Sequence, residues 1–428
     1  MRQRSLRVFR RLVVSASLAL VALVAFLAPS PAQAQVIDLD VLGGGQPLDL
    51  SLLNLDLDLV EALDAALDPA ASALLNCVPS ACITFVEALA AQTVNSQQVV
   101  ATALTSASLQ TTQQVTDFAL SSTLWNASVS AFGSAATMRS ITPTVATFGI
   151  SGVSHTSHDG FLATAGGTRI GRTPEFDSLD VGGTLGMRFD ASKALSLPKD
   201  TLTLGAFGNY TNSDIDLAST PLLRELGFRH TGDASLDSGS AGGYALLTDG
   251  RFYGLGLASG QFGDASVRNA VSDARANFDT SGFASSLAGG VVLPAWSSSK
   301  VDLRAGLNYF DIRTDRHTDS AGLTFGEGQV EAFSGALSVR LFNTLVYGRT
   351  VVRPFVQAGV DHRFDYNNDI RVEGVNFSFE EDPTTVFGRV GMDFEVDQSV
   401  QAYLSVRGDH NEDYDAIAGQ VGLTFKLN

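Results

Sequence analysis

The chain has 428 residues, with 28 Lys plus Arg against 45 Asp plus Glu and a formal net charge of −17. A chain this acidic gains nothing from releasing the counterions of nucleic acid, which argues against a nucleic-acid partner. Its 41 glycines argue against a mainly helical protein and favour strands that twist and pack closely.

The first 34 residues have the organisation of a secretory signal peptide. Five arginines precede an apolar stretch from Leu12 to Leu27, and Ala32-Gln33-Ala34 offers a small-residue cleavage site, so we expect cleavage between Ala34 and Gln35. The alternative is an uncleaved anchor, which needs a longer apolar run of ~20 residues. No later run approaches that length, so the mature chain is either soluble or crosses a membrane as strands. Its formal charge is −22 without the five arginines.

Residues 35–82 form an acidic segment rich in Leu and Asp. Val36 to Pro69 contains eight acids and no Lys or Arg, and Leu55 to Leu59 alternates apolar and acidic residues with the period of a strand. Two interpretations stay open at this point. One is a segment displayed at the cell surface that binds Ca²⁺ weakly, and the other is a partly ordered acidic linker.

Cys77 and Cys82 are the two cysteines of the chain. An exported protein meets an oxidising compartment, so we expect a local disulfide between them. A metal site would need two further ligands nearby, and a redox-active pair normally has two residues between its cysteines rather than four.

Residues 83–143 predict a polar helical segment. From Ile83 to Met138 the charged residues are Glu87 and Asp117 alone, and apolar residues recur at helical intervals, as at Val99, Val100, Ala103 and Leu104. This pattern indicates one or two helices. Their many Ala, Ser, Thr and Gln side chains suit a helix that is surrounded by polar groups.

Residues 144–428 alternate with period two between clusters of turn residues, which predicts an all-β domain. The predicted strands are 144–156, 176–191, 200–217, 238–249, 251–268, 275–294, 299–314, 330–345, 350–365, 377–396, 399–411 and 415–428. They are twelve, an even number as in bacterial outer-membrane barrels, and short turns alternate with long polar loops. A soluble β-sandwich is the alternative, because alternation by itself does not distinguish the two folds.

The polar face of the predicted strands carries charges of both signs. If the strands form a barrel, these side chains line its lumen. They either bond the preceding helix and one another or are simply solvated. The predicted lumen charges are Asp180, Arg188, Asp302, Arg304, Arg389, Asp393, Arg407 and Asp409.

The last strand contains Gln420, Gly422, Phe425 and Leu427 at the spacing Gln-x-Gly-x-x-Phe-x-Leu. This pattern resembles the C-terminal signal that the barrel-assembly machinery reads, and an exposed edge strand is suited to capture by strand addition. One residue, Asn428, follows a final Leu where the signal usually ends in Phe.

The whole of residues 144–428 resembles the translocator domain of the autotransporters (type V secretion). The resemblance is carried by Leu179 to Arg188, Leu202 to Asp214, Ala241 to Leu247 and Ile417 to Phe425. It implies a twelve-stranded barrel in the outer membrane, a helix threaded through its pore, and N-terminal sequence delivered to the cell surface. The implied partners are outer-membrane lipid, periplasmic chaperones and the barrel-assembly machinery, with a monomeric barrel.

The sequence also departs from that family. Residues 35–82 are few beside the usual long β-helical passenger, no Asn-Asn pair lies in the pore segment, and no arginine follows the signal peptide before Arg139. These departures favour a small or vestigial passenger that stays joined to the barrel. A passive pore or structural barrel with its helix outside the lumen is the alternative function.

No motif predicts an enzyme, a metal site or a cofactor. The six histidines, which are His155, His158, His230, His317, His362 and His410, fall near predicted loops or strand ends, and no G-x-S-x-G turn is present. The spacing of His155 and His158 is compatible with a metal pair, but supporting ligands are lacking in the sequence around them.

Overall fold

The structure is a computed structural model. It describes residues 97–120 except 110 and 118, residues 145–218 except 166, 174, 199 and 200, and residues 230–426 except 271, 272, 297, 349 and 396–399. Residues 97–109, 111–117 and 119–120 are α-helical and are together called α1. Among the described residues, no helix combines the length and the apolar character needed to cross a membrane.

Twelve long antiparallel strands form a closed ring. In ring order they are β1 (Val145–His158), β4 (Phe176–Asp190), β5 (Leu202–Ala218), β6 (His230–Thr248), β7 (Phe252–Asn269), β8 (Arg275–Pro294), β9 (Ser299–Thr314), β12 (Gly328–Asn343), β14 (Thr350–Val372), β16 (Thr384–Glu395), β17 (Val400–His410) and β18 (Tyr414–Lys426). β1 pairs with β4 on one side and with β18 on the other, from Val145↔Lys426 to His158↔Tyr414, and this last pairing closes the ring.

The remaining strands are short and belong to the connections. They are β2 (Leu162–Ala165), β3 (Thr168–Arg172), β10 (His317–Thr318), β11 (Thr324–Phe325), β13 (Leu345–Tyr347) and β15 (Val375–Glu380). All except β13 lie at one end of the ring, called the loop rim, and form the cap. Within the cap β2 pairs with β15, so it links strands that are not neighbours in the ring. The opposite end, which has the connections at 249–251, 295–298 and 396–399, is called the turn rim.

The two faces of the ring differ as a membrane barrel requires. The outer face exposes large apolar side chains on β4, β5, β7, β8, β9, β12, β14, β16, β17 and β18, such as Leu185, Phe283, Leu307, Leu337 and Val421. The inner face buries polar side chains at the same height. Because lipid contacts the outside and strands alternate their side chains, this arrangement satisfies the chemistry of both faces.

Towards the loop rim this pattern of polarity inverts. On β5 the outer side chains change from Leu204 and Tyr210 to Asp214 and Asp216, while the inner ones become Ile215 and Leu217, both fully buried. The outer face has therefore left the lipid for water, and the inner face has become an apolar core beneath the cap.

The inversion explains where the predicted strands were wrong. β6 begins at His230 instead of 238, and β14 continues to Val372 instead of 365. The predicted strand 377–396 is divided into β15 and β16. The strand ends beyond the lipid have polar outer residues such as Asp233, so their sequence has the polarity that is typical of loops. The rims are also less uniform than predicted, since the connections at 270–274 and 411–413 on the loop rim are short.

The core beneath the cap gives a test of the fold. Phe161 is completely buried and its ring lies 5.6 Å from that of Phe176 and 5.8 Å from that of Phe379. We expect Phe161→Ala to reduce the free energy of unfolding by about 3–5 kcal/mol, because it leaves a cavity. Urea titration of the barrel in detergent, followed by its heat-modifiable migration on gels, measures this. Phe283→Ala, on the lipid-facing surface, is the matched control and should change stability less; equal losses would contradict the assignment of the two faces.

Candidate functional site in the barrel lumen

Helix α1 contacts the ring on several sides. Its apolar residues Val99, Val100 and Leu104 join the core beneath the cap, and Val115 and Leu120 join a second core that contains Tyr253 and Phe355 near the turn rim. All seven of these side chains are buried. The helix therefore starts at the loop rim and ends towards the turn rim.

Two neutral hydrogen bonds connect the middle of the helix to the wall. Ser108 contacts Gln261 of β7, and the Thr184 hydroxyl of β4 donates to Gln114 Oε1 at 3.1 Å. Since β4 and β7 are separated by β5 and β6 in the ring, the helix lies within the ring and not against one outer wall.

Asp117 makes the charged contacts of the helix. Arg304 Nη1 of β9 lies 3.0 Å from its Oδ1, and Arg389 Nη1 of β16 contacts its Oδ2. The three side chains are 14%, 11% and 5% exposed. A carboxylate buried between two guanidinium groups has its charge balanced and its oxygens hydrogen-bonded, which is the condition for holding a charge away from water. We call these three residues the Asp117 clamp.

The two arginines of the clamp have different further partners in the barrel wall. Arg304 also contacts Asp302 Oδ2 at 3.2 Å and the Tyr253 hydroxyl at 3.2 Å, and that hydroxyl donates to Asp302 at 2.7 Å. Arg389, by contrast, donates to the neutral oxygens of Ser405 at 2.8 Å and Gln420 at 2.7 Å. Asp117 therefore supplies the carboxylate that is bonded to Arg389.

The lumen has a neutral half and a charged half. On β5 to β8 every described Asp, Glu, Lys and Arg is exposed on the outer face. These residues are Asp214, Asp216, Asp233, Asp237, Asp264, Arg268, Arg275 and Asp279. The buried charges lie instead on β4, β9, β12, β14 and β16, as for Asp180, Asp302, Arg340, Arg353 and Arg389. The Asp117 clamp faces the charged half of the ring.

The predicted lumen charges all lie on the inner face. Asp180 accepts hydrogen bonds from Ser154 at 2.9 Å and from Ser178 at 3.0 Å, and Arg407 pairs with Asp409. Arg188 is buried near the turn rim. Asp393 pairs with Arg340, at 2.9 Å.

The predicted lumen charges include neither Arg340 nor Asp117. For Asp117 a signal was present, because it is the one charge within a long neutral stretch. Arg340 has no such signal beyond its place on the polar face of a strand.

The predicted C-terminal signal is partly within the described residues. Gln420 is buried and bonded to Arg389, while Gly422 lies opposite Tyr403 of β17. Leu427 lies outside the described residues, as do Ala34 and Gln35 of the predicted cleavage site and Cys77 and Cys82 of the predicted disulfide. The roles of these residues remain predictions.

Gly422 gives a test that separates packing from recognition. A Cβ at this position would overlap the Tyr403 ring, so Gly422→Ala should cost about 1–3 kcal/mol of stability by overpacking. Adding Tyr403→Ala should restore the stability of the folded barrel, measured by urea titration. Gly419→Ala, whose Cβ would meet open space, is the control. If the double variant assembles as poorly in cells as the single one, space for the ring is not the reason for the glycine.

The cap contains a buried cluster of charged side chains. His158 Nε2 lies 3.0 Å from Glu381 Oε1, and Arg363 contacts the other oxygen of that carboxylate. Burial acts to raise the pKa of Glu381, but the charge of Arg363 and the hydrogen bond from His158 hold that pKa down at about 2. The His158 ring stacks on Phe176, with centroids 4.6 Å apart. The cluster fastens the end of β1 to the connection before β16.

No group of three or more His, Cys, Asp and Glu side chains among the described residues has the arrangement of a metal site. His155 is exposed, whereas His158 is buried within the cap. The two therefore lie on opposite faces of β1's loop-rim end, in agreement with their odd separation along a strand.

A closed ring with an apolar outer face and a charged, helix-bearing lumen defines an outer-membrane β-barrel. Residues 154–407, more than half of the chain, match the family model described as the autotransporter beta-domain. The chain belongs to this family, whose barrel is the transport domain of type V secretion. This places it in the outer membrane. No curated protein sequence matches the chain.

Solved structures agree in fold. The chain is similar to the translocator domain of the autotransporter NalP from Neisseria meningitidis, with 18% identity and a TM-score of 0.50 over 76% of this chain and 98% of that one. It is also similar to the transport unit of the autotransporter AIDA-I from Escherichia coli, with 14% identity and a TM-score of 0.52 over 71% and 97% of the two chains. At these identities the likeness concerns the fold alone.

Proposed function

We propose that this barrel displays its own short N-terminal segment at the cell surface and that α1 then plugs the pore. The observation that carries the proposal is the set of contacts that α1 makes with β4, β7, β9 and β16. A helix is about 10–12 Å wide with its side chains, which suits the lumen of a twelve-stranded barrel.

The direction of the helix supports display of the preceding segment. The N-terminal residues of α1, including Val99 and Val100, pack beneath the cap, while Leu120 packs near the turn rim. In bacterial barrels the short turns are periplasmic and the longer loops are extracellular. The segment that precedes α1 would then be displayed on the outer side.

The proposal also covers the lipid around the barrel, the proteins that assemble it, and the fate of the displayed segment. Outer-membrane lipid surrounds the apolar band, periplasmic chaperones keep the unfolded strands apart, and the barrel-assembly machinery captures the strand that holds Gln420, Gly422, Phe425 and Leu427. The barrel works as a monomer, and the displayed segment stays joined to it.

Conductance in planar bilayers tests the plug. We expect the full mature chain to conduct little, because the side chains of α1 fill the lumen, and the variant without residues 97–120 to give large steady openings. Val100→Asp with Leu104→Asp keeps the chain length and should also open the pore by removing apolar packing under the cap; Val153→Ala on the outer face is the control. High conductance of the full chain, unchanged by the deletion, would favour a passive pore.

Proteolysis of intact cells tests display. Residues 36–138 contain no Lys or Arg, so trypsin should leave the displayed segment whole while proteinase K shortens the protein from its N-terminal side. A periplasmic marker protein must stay intact under both enzymes. Cleavage by proteinase K that appears only after the outer membrane is permeabilised would place the segment in the periplasm and refute display.

A further inference from the structure

We propose that Asp117 is the positioning residue that stops the chain in the pore and fixes the register of α1. The proposal rests on the proposed function, in which the segment before α1 passes through the lumen and α1 remains there. It concerns what ends that movement, which the fold by itself does not specify.

Asp117 is an isolated charge in a long neutral stretch of the sequence. Between Glu87 and Arg139 it is the one charged residue, so 29 neutral positions separate it from Glu87 and 21 separate it from Arg139. Any register of this stretch other than the observed one presents the clamp arginines with Ala, Ser, Thr, Gln or apolar side chains. None of these supplies a negative charge.

The charges of the barrel wall favour the same register of α1. Arg389 is 5% exposed, and its partners on β17 and β18, Ser405 and Gln420, are neutral. A buried guanidinium group without a carboxylate is strongly disfavoured, because its charge is neither solvated nor balanced. The chain therefore rests where Asp117 reaches Arg389.

The other contacts of α1 select the register weakly. Its apolar contacts are non-directional, and a shift of four residues replaces some buried residues with similar ones, since Val100 takes the place of Leu104 and Ala103 that of Ala107. The same shift moves Asp117 by about 6 Å along the helix axis. A hydrogen-bonded ion pair does not survive such a displacement.

Disulfide crosslinking reads the register directly. Both variants have a Cys77→Ser, Cys82→Ser background. The first combines Ser108→Cys with Gln261→Cys and reports the observed register. The second combines Leu104→Cys with Gln261→Cys and reports a shift of α1 by four residues towards the turn rim. The shifted-mark variant combines Gln113→Asp with Asp117→Asn. We expect the 108–261 crosslink to dominate with Asp117 present and the 104–261 crosslink to dominate in the shifted-mark variant.

Two further variants complete the test. Asp117→Asn alone should spread the crosslinks over both pairs, and Asp117→Glu should restore the 108–261 crosslink because it returns the carboxylate. If the shifted-mark variant keeps the 108–261 crosslink while its barrel migrates as folded, packing sets the register and the proposal is wrong. If the folded chain with Asp117 forms neither crosslink, the helix is outside the lumen and the proposed function itself fails.

Discussion

The structure depends on the pairing of β1 with β18. In lipid no water is available to the backbone, so an open strand edge would leave a row of unpaired N–H and C=O groups, and a spanning sheet must close on itself. The register from Val145↔Lys426 to His158↔Tyr414 meets this requirement, with a bulge between Ile150 and Val153. Closure in turn creates an inside and an outside, and every other feature follows from the difference between them.

The inside is not uniform, and its asymmetry explains how one helix is held in one orientation. On β5 to β8 the inner wall offers Phe207, Tyr244 and Leu255 to the apolar side of α1. On β9 and β16 it offers the arginines of the Asp117 clamp. A helix that rotated by half a turn would bury Asp117 against aromatic rings and leave two guanidinium groups against Val and Leu. The two halves of the wall together thus restrain the rotation of α1.

The sequence was sufficient for the strands because alternation is a local property, and the even strand count and the resemblance to the translocator family favoured a ring over a sandwich. The twelve strands, the antiparallel order and the inner position of Asp180 and Arg304 all follow from a period of two and an outer lipid environment. The strand ends near His230 and Val372 did not, since their polarity is set by the height of the membrane boundary, which no local pattern encodes. The pairing of Asp393 with Arg340, and the choice of the arginines that contact Asp117, depend on strands far apart in sequence, so these particular partners were beyond prediction.

The inversion of polarity along β5 limits the thickness of the membrane that suits the barrel. Its lipid-facing stretch from Leu204 to Tyr210 extends about 20 Å along the strand at ~3.3 Å per residue, and less along the membrane normal once the strand is tilted. In a bilayer thicker than this band, Asp214 lies closer to the hydrocarbon or the bilayer thins around the barrel, and the cost of this mismatch is smaller in the thinner outer membrane. The height of the apolar band on the wall thus suits the barrel to the thinner of the two membranes.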